Sequence, residues 1–420
     1  MGRKLAIAAA ILGIAVCFEG GLSAEAPARH WVGTWAAAPH LAGPFPAAGA
    51  EGFANQTIRQ IVHVSVGGSA VRIRLTNAFG DRAQRFESVY VGIRGEGASV
   101  RAGSNRRLTF GGQASLTLPK GSSTVSDAVS LHVDDLDDVA ISIFTASDTG
   151  APTTHVFSNA TSFAADGDFA ADESGAAFGA ELVGWWFIQG VDVYTSGNVK
   201  GAVLALGDSL TDGFGSTWDA NARYTDFLAR RFVAGPPGRV LGVLNEGITG
   251  SRVLGDSPCF GVNVGARLDR DVLARAGVVA VIYAQGSNDF GYPVVDAAGG
   301  LGIPECFQPA TVVSAEDVIA GMRQVIARVH AAGIPIFGAT LNPLGGGPEW
   351  SPETEAKRKV VNAWIRTSGE FDGVFDFAAA VADPNDPEAL APWFDSGDRT
   401  HPNDAGYEAM ANAVRLSAFR

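Results

Sequence analysis

Acyl transfer at a serine needs a base for the hydroxyl, a partner to orient that base, and donors for the developing oxyanion. Ser209 lies in Gly207-Asp208-Ser209-Leu210, directly after the apolar run of residues 202–206. A short apolar run bounded by glycine reads as a strand buried on both faces, and ligands gather beyond the carboxyl ends of such strands. By itself a serine in that place serves equally as a helix cap or a turn residue. The sequence has seven histidines. His30, His40, His63, His132 and His155 lie in or before a strand-rich N-terminal half, and His330 sits in a helical pattern beside Ala331 and Ala332. His401 differs, because Asp398-Arg399-Thr400-His401-Pro402 falls between the last strand and the last helix, at the same sheet edge as Ser209. The spacing from Asp398 to His401 lets a carboxylate hold one imidazole nitrogen while the other faces a serine. An acidic residue near a histidine is also ordinary at a helix start.

Donors are available at two further strand ends. Gly247-Ile248-Thr249-Gly250 follows the second strand, and its glycines allow backbone N–H groups to approach a ligand closely. Gly286-Ser287-Asn288-Asp289 follows the third, where the Asn288 amide is a side-chain donor. Read separately, the first is a tight turn and the second an Asx-turn. Their common feature is position, since all four segments follow strands of one sheet.

The elements that must hold them are strands alternating with helices from residue 199 onward. Apolar strands are expected at 203–206, 240–244, 278–283, 334–341 and 374–377. Ser314 caps a helix running to about Ala332, with Val318, Met322, Val325 and Val329 at helical spacing. Ser351-Pro352 starts another helix, and the last is expected from about Asp404 to Phe419. Such alternation means a parallel sheet with helices on both faces, an α/β domain.

These four segments resemble the blocks of the SGNH (GDSL) hydrolase superfamily, in order and spacing, across about half of the chain. The resemblance implies a flavodoxin-like three-layer α/β fold. It also implies a nucleophile at Ser209, a general base at His401 oriented by Asp398, and an oxyanion hole formed by the Ser209 backbone, Gly250 and Asn288. The runs 211–221 and 268–273, with Trp31-Val32-Gly33-Thr34-Trp35, resemble a two-domain subfamily that includes esterases associated with xylan degradation. Ser287 departs from the pattern, since many members carry a bulkier apolar residue there. The G-x-S-x-G elbow of α/β-hydrolase lipases is absent around Ser209.

Residues 31–197 show strand periodicity throughout. Residues 57–66 alternate, and Gly67-Gly68-Ser69 leads to Val71, Ile73 and Leu75, which reads as a hairpin with one wet and one dry face. Further runs at 87–93, 114–118, 139–144 and 182–194 suggest an all-β sandwich of jelly-roll type. The boundary to the catalytic domain, 198–420, is placed at Ser196-Gly197-Asn198. The β-domain is either a carbohydrate-binding module or a structural support, and Trp185-Trp186 is either a sugar-stacking platform or core.

The composition is that of a globular protein, with 420 residues, 46% hydrophobic and 18% charged. A net charge of −13 argues against nucleic acid or anionic membrane as a partner. Residues 1–24 read as a signal peptide, with a basic start, an apolar stretch and a small-residue site, so a secreted or periplasmic protein without stable membrane insertion is expected. With Cys17 removed, Cys259 and Cys306 remain, a disulfide candidate in an exported protein, or else two free thiols. No cluster has metal-ligand spacing, and no metal or cofactor is implied. The expected activity is ester hydrolysis through an acyl-serine, with short acyl groups such as acetyl on carbohydrate as first choice of substrate. Lysophospholipids or aryl esters come second. A carbohydrate-binding protein with a vestigial hydrolase domain is the rival class. The sequence does not specify the oligomeric state.

Overall fold

The computed structural model describes residues 30–419 except 42, 44–48, 50, 196 and 237–238. The expected signal peptide lies outside the described residues. No helix among the described residues is long and apolar enough to cross a membrane.

The N-terminal half consists of antiparallel sheets. Their principal strands are β1 (His30–Ala36), β2 (Gln56–His63), β3 (Gly68–Thr76), β4 (Ser88–Ile93), β5 (Val129–Val133), β6 (Asp138–Thr145), β7 (Thr161–Asp166) and β8 (Ile188–Thr195). One sheet has the order β1-β8-β3-β5, with the short strand Ser123–Val125 also on β3. The other runs from Ala180–Val183 through β7, β2, β6 and β4 to Arg106–Arg107. Val71, Ile73 and Leu75 of β3 and Ile58 and Val62 of β2 share one buried core.

The expected hairpin between β2 and β3 does not form. β2 pairs with β6 and β7, whereas β3 pairs with β5 and β8, so the chain passes from one sheet to the other at residues 64–67. Hydrogen bonds from Val66 N to Thr34 Oγ1 (2.9 Å) and from Ser65 Oγ to Thr34 O (2.7 Å) hold the crossing. Gly67 allows it sterically, since a Cβ there would lie 2.2 Å from the Val133 carbonyl oxygen. The expected wet face of β2 is likewise absent: Arg59 is buried there, and its guanidinium donates to carbonyls of Ala98, Phe169 and Asp172. The run 182–194 is broken into three strands, and both Trp185 and Trp186 are buried, which makes them core rather than a stacking platform.

The C-terminal half holds a five-stranded parallel sheet of β9 (Val199–Gly207), β10 (Val240–Gly247), β11 (Val278–Ala284), β12 (Ile336–Ala339) and β13 (Gly373–Phe375). Its order is β10-β9-β11-β12-β13, which puts the switch of direction at β9, the strand that leads to Ser209. Alternate residues of β9 enter different cores. Val203 and Ala205 meet α2 (Tyr224–Val233) and α6 (Asp404–Ala413), while Leu204 and Leu206 meet α4 (Ala315–Ala331) and α5 (Pro352–Thr367). Burial on both faces is why residues 202–206 of the strand are all apolar. Ser314, Ser351 and Asn403 cap α4, α5 and α6, each accepting from a backbone N–H of the first turn. The last helix ends at Ala413 rather than near Phe419, and Arg231 takes the carbonyls of Ala411 and Val414 where it stops.

The two halves share one apolar core, which runs from Val32 and Ile73 to Leu244 and Met322. Close backbone contact accompanies it. Gly33 N donates to Ala276 O (2.9 Å), Val243 N donates to Ser65 Oγ (2.9 Å), and a Cβ on Gly242 would lie 2.6 Å from Gly33 O. Beneath the junction, buried Arg267 donates to the carbonyls of Glu246 (2.8 Å) and Gly207 (2.9 Å), beside buried Asp271. The run 268–273 thus underlies the ends of β9 and β10.

Candidate active site

Ser209 begins α1 (Ser209–Asp212), a single turn following β9. Asp208 caps it by accepting from Leu210 N (3.2 Å), and Gly213 ends it with φ 98°, a conformation that favours glycine. The turn therefore fixes Ser209 at the sheet edge with only 8% of its surface exposed.

His401 and Asp398 come from the loop before α6. Asp398 Oδ1 accepts from the backbone N–H groups of Thr400 (2.9 Å) and His401 (2.8 Å), and Oδ2 lies 2.6 Å from His401 Nδ1. The other ring nitrogen, Nε2, lies 2.9 Å from Ser209 Oγ. With Asp398 accepting the Nδ1 proton, Nε2 presents its lone pair to the serine hydroxyl. The turn is held by Asp395, whose Oδ1 accepts from Gly397 N and Arg399 N (2.9 Å each), with Arg399 at φ 63°. The Phe214 ring backs the imidazole at 4.7 Å between centroids. Partial burial works against the Asp398 charge, but the His401 hydrogen bond and the two backbone N–H groups outweigh it and hold the carboxyl at about 2. Asp208, buried with one N–H partner, goes the other way, and burial pushes it up to about 7.

The two donor segments meet beside this chain of hydrogen bonds. Asn288, in the first turn of α3 (Ser287–Ala297), donates from Nδ2 to Ser251 O (3.0 Å), and Gln285 Nε2 donates to Ser251 Oγ (3.0 Å). Asp289 takes Val253 N (2.8 Å) and Leu254 N (2.9 Å). Gly250 has φ 77°, its carbonyl accepts from Tyr292 OH (2.7 Å), and a Cβ on it would lie 2.4 Å from the Phe260 ring. Both the backbone conformation and the space require glycine here. Cys259 and Cys306 form a disulfide that joins the loops after β10 and β11, packed among Phe260, Tyr292 and Phe307.

Ser209, His401 and Asp398 are thus in direct contact, as are the Gly250–Ser251 turn and Asn288. His330 is remote in role, pairing with Asp372 (2.8 Å) at the surface. Sequence reasoning missed His155 and Asp212. His155 Nε2 lies 2.9 Å from Asp212 Oδ1, both side chains are 4% exposed, and Asp212 Oδ2 accepts from Thr249 N (2.8 Å) and Thr249 Oγ1 (2.7 Å). Asp212, three residues after Ser209, carries a signal of helical spacing. His155 carries none. Phe157, two residues further, packs against Phe214 (5.8 Å) and Phe260 (6.3 Å) and adds an aromatic wall from the N-terminal half.

A model of the GDSL-like lipase/acylhydrolase family matches residues 205–409. No curated protein matches the chain. Among solved structures, a GDSL-like lipase from Bacteroides thetaiotaomicron is 16% identical, covering 52% of this chain and 87% of that one at a TM-score of 0.37. A lipase/acylhydrolase from Enterococcus faecalis is 16% identical, covering 50% and 92% at 0.37. A catalytic mutant of an acetylxylan esterase from Geobacillus stearothermophilus is 20% identical, covering 50% and 91% at 0.36.

Proposed function

We propose that this chain, whose residues 205–409 match the model of the GDSL-like lipase/acylhydrolase family, is a carboxylic ester hydrolase that works through an acyl-enzyme on Ser209. The observation that carries this reading is the continuous line from Asp398 Oδ2 through the His401 ring to Ser209 Oγ. His401 Nε2 takes the hydroxyl proton as Oγ attacks the ester carbonyl, and Asp398 stabilises the imidazolium that forms. The oxyanion is received by the N–H groups of Ser209 and Gly250 and by the Asn288 amide. His401 then returns the proton to the leaving alcohol and takes one from the water that releases the acid.

The first choice of substrate is a short acyl group, such as acetyl, on carbohydrate. Two features support it. Phe157, Phe214 and Phe260 form an aromatic cluster beside His401, an apolar wall that suits a small acyl group. A cleft of about 590 Å³ borders the His401 loop, lined by Trp350, Asp386, Glu388 and Arg399, which offers a ring for sugar faces and carboxylates for hydroxyls. The same aromatic wall would suit an aryl alcohol, which keeps the arylesterase reading second. In this reading residues 31–197 form a jelly-roll-like β-domain, residues 198–420 the catalytic domain, and residues 1–24 direct export. The Cys259–Cys306 disulfide fits an oxidising compartment.

Ser209→Ala is the test of mechanism. Turnover of p-nitrophenyl acetate should fall by about five orders of magnitude or more, with loss of fluorophosphonate labelling. A variant that retains most activity overturns the acyl-serine. For substrate, acetate release from acetylated xylan is expected, and in a nitrophenyl ester series a preference for chains beyond about eight carbons would replace this reading with a lipase.

A further inference from the structure

The segment of residues 153–159 belongs to the N-terminal half, yet it reaches the serine's own turn. Thr153–His155 pairs with Trp185–Trp186 on one side and His40–Leu41 on the other. Its residues then contact α1 and the start of α2. Asn159 Nδ2 donates to Gly213 O (2.7 Å), Arg223 donates to Ser158 O, and His155 meets Asp212.

Two buried histidines in this layer differ in what their nitrogens face. His40 Nδ1 lies 2.7 Å from Leu41 O and its Nε2 is 3.2 Å from Val156 N. One nitrogen donates and the other accepts, which is the neutral ring. His155 Nδ1 lies 2.9 Å from Ala38 O, while Nε2 faces the Asp212 carboxylate. Both of its partners accept, so both of its nitrogens donate, and the ring is an imidazolium. Trp185 stacks on it at 5.5 Å. Burial opposes the charge, but the Asp212 carboxylate and the Ala38 carbonyl outweigh burial, and the His155 pKa is raised against the opposing Arg223 charge.

Asp212 has a second oxygen, and it serves the loop after β10. By accepting from both N and Oγ1 of Thr249, it fixes the Ile248–Thr249 peptide, one before the peptide that carries the Gly250 N–H. Tyr292 fixes the Gly250 carbonyl on the other side. The Gly250 N–H therefore lies between two anchored peptide groups, in a left-handed backbone conformation that favours glycine.

We propose that His155 is a positioning residue for the oxyanion hole: acting through Asp212 and Thr249, it sets the direction of the Gly250 N–H, so the N-terminal half is part of the catalytic apparatus. This rests on the acyl-serine reading of the site. It does not require the N-terminal half to bind carbohydrate.

The experiment is steady-state kinetics of full-length His155→Gln and Asp212→Asn on p-nitrophenyl acetate, with far-UV circular dichroism and thermal melts to establish folding. Gln keeps a donor toward Asp212 without the charge, and Asn removes the charge from the other side. The expected result is a kcat lower by about 10- to 100-fold with KM changed by less than about threefold, as for a displaced oxyanion donor. Affinity for an aryl trifluoromethyl ketone, whose serine adduct carries an oxyanion, should fall in parallel with kcat/KM. A purely structural role would lower the melting temperature and leave both kinetic quantities of the folded fraction unchanged, which overturns the proposal. If His155→Gln does not fold, Thr249→Val weakens the same link at its far end by removing the Oγ1 bond while the N–H bond stays, and wild-type kcat in that variant also overturns it. Ser209→Ala run alongside separates the two readings. If it is inactive while His155→Gln is fully active, only this inference falls, and if it stays active, the acyl-serine falls and takes this inference with it.

Discussion

The molecule contains two Asp–His pairs at its serine, and they are built in opposite ways. At the rim, His401 and Asp398 approach to 2.6 Å from one loop, and the histidine's second nitrogen faces a hydroxyl. Inside, His155 and Asp212 approach to 2.9 Å from different halves of the chain, and the histidine's second nitrogen faces a carbonyl. A hydroxyl can donate or accept, so the rim imidazole is free to gain and lose a proton. A carbonyl only accepts, so the inner ring keeps both of its protons. The same residue types thus give a proton carrier in one place and a fixed ionic tie in the other. The partner of the second nitrogen decides which.

The comparison can be broken most forcefully at the rim. Asp398→Asn keeps the shape of the side chain but offers His401 Nδ1 an amide, which can hold the wrong tautomer. A fall in kcat of about four orders of magnitude is expected, the scale of that replacement in serine proteases. If kcat on p-nitrophenyl acetate falls less than tenfold, Asp398 is not the orienting group. The backbone N–H groups of Thr400 and His401 would still donate to the side-chain Oδ1 in the Asn variant. A loss of activity in a protein with an unchanged melt therefore reports the tautomer rather than the loop.

Asn288→Ala comes next in size. The amide holds Ser251, and in the proposed mechanism it also meets the oxyanion, so its removal would take away a donor and loosen the Gly250–Ser251 turn. A loss of about two to three orders of magnitude in kcat is expected with KM little changed. A rise in KM at constant kcat would instead make Asn288 a substrate-binding residue.

Much of the site is legible in the chain because its parts are local. Ser209 follows an apolar strand, Asp398 and His401 share one turn, and Gly250 and Asn288 each follow a strand of the same sheet. Period and punctuation are enough to find such pieces. What they cannot reveal is pairing across the fold. His155 and Asp212 are 57 positions apart, and nothing beside His155 marks it as facing a carboxylate. The crossing at residues 64–67 is illegible for a related reason. A glycine turn between alternating runs looks alike whether the chain returns within a sheet or passes to the facing one, and only the long-range partners β6 to β8 distinguish them. Trp185 and Trp186, being consecutive, should point to opposite faces. Both are buried because Trp185 packs against Trp35 and His155 while Trp186 packs against Phe53, contacts between distant segments that periodicity does not foresee.

The last expected effect is on stability rather than turnover and concerns a third carboxyl, Asp208, next to Ser209, which sharpens what the two pairs teach about partners. Asp398 has three donors and is held at about 2, whereas Asp208 has the Leu210 N–H and is pushed up to about 7 by burial. A carboxyl raised in the folded state keeps a proton that the unfolded chain, at about 3.9, has already released. Folding is therefore favoured fully below pH 4, and that contribution is lost as pH rises toward 7. Asp398 has the opposite sign, and its contribution is present above pH 4 and lost as pH falls toward 2. Asn at position 208 preserves the cap and has no proton to lose. Asp208→Asn should match the wild type in urea unfolding at pH 4 and exceed it at pH 8, by up to about 4 kcal/mol. An equal difference at both pH values would mean that Asp208 titrates alike in the folded and unfolded chain, and that a carboxylate beside the serine is tolerated at pH 8 with only one N–H to hold it.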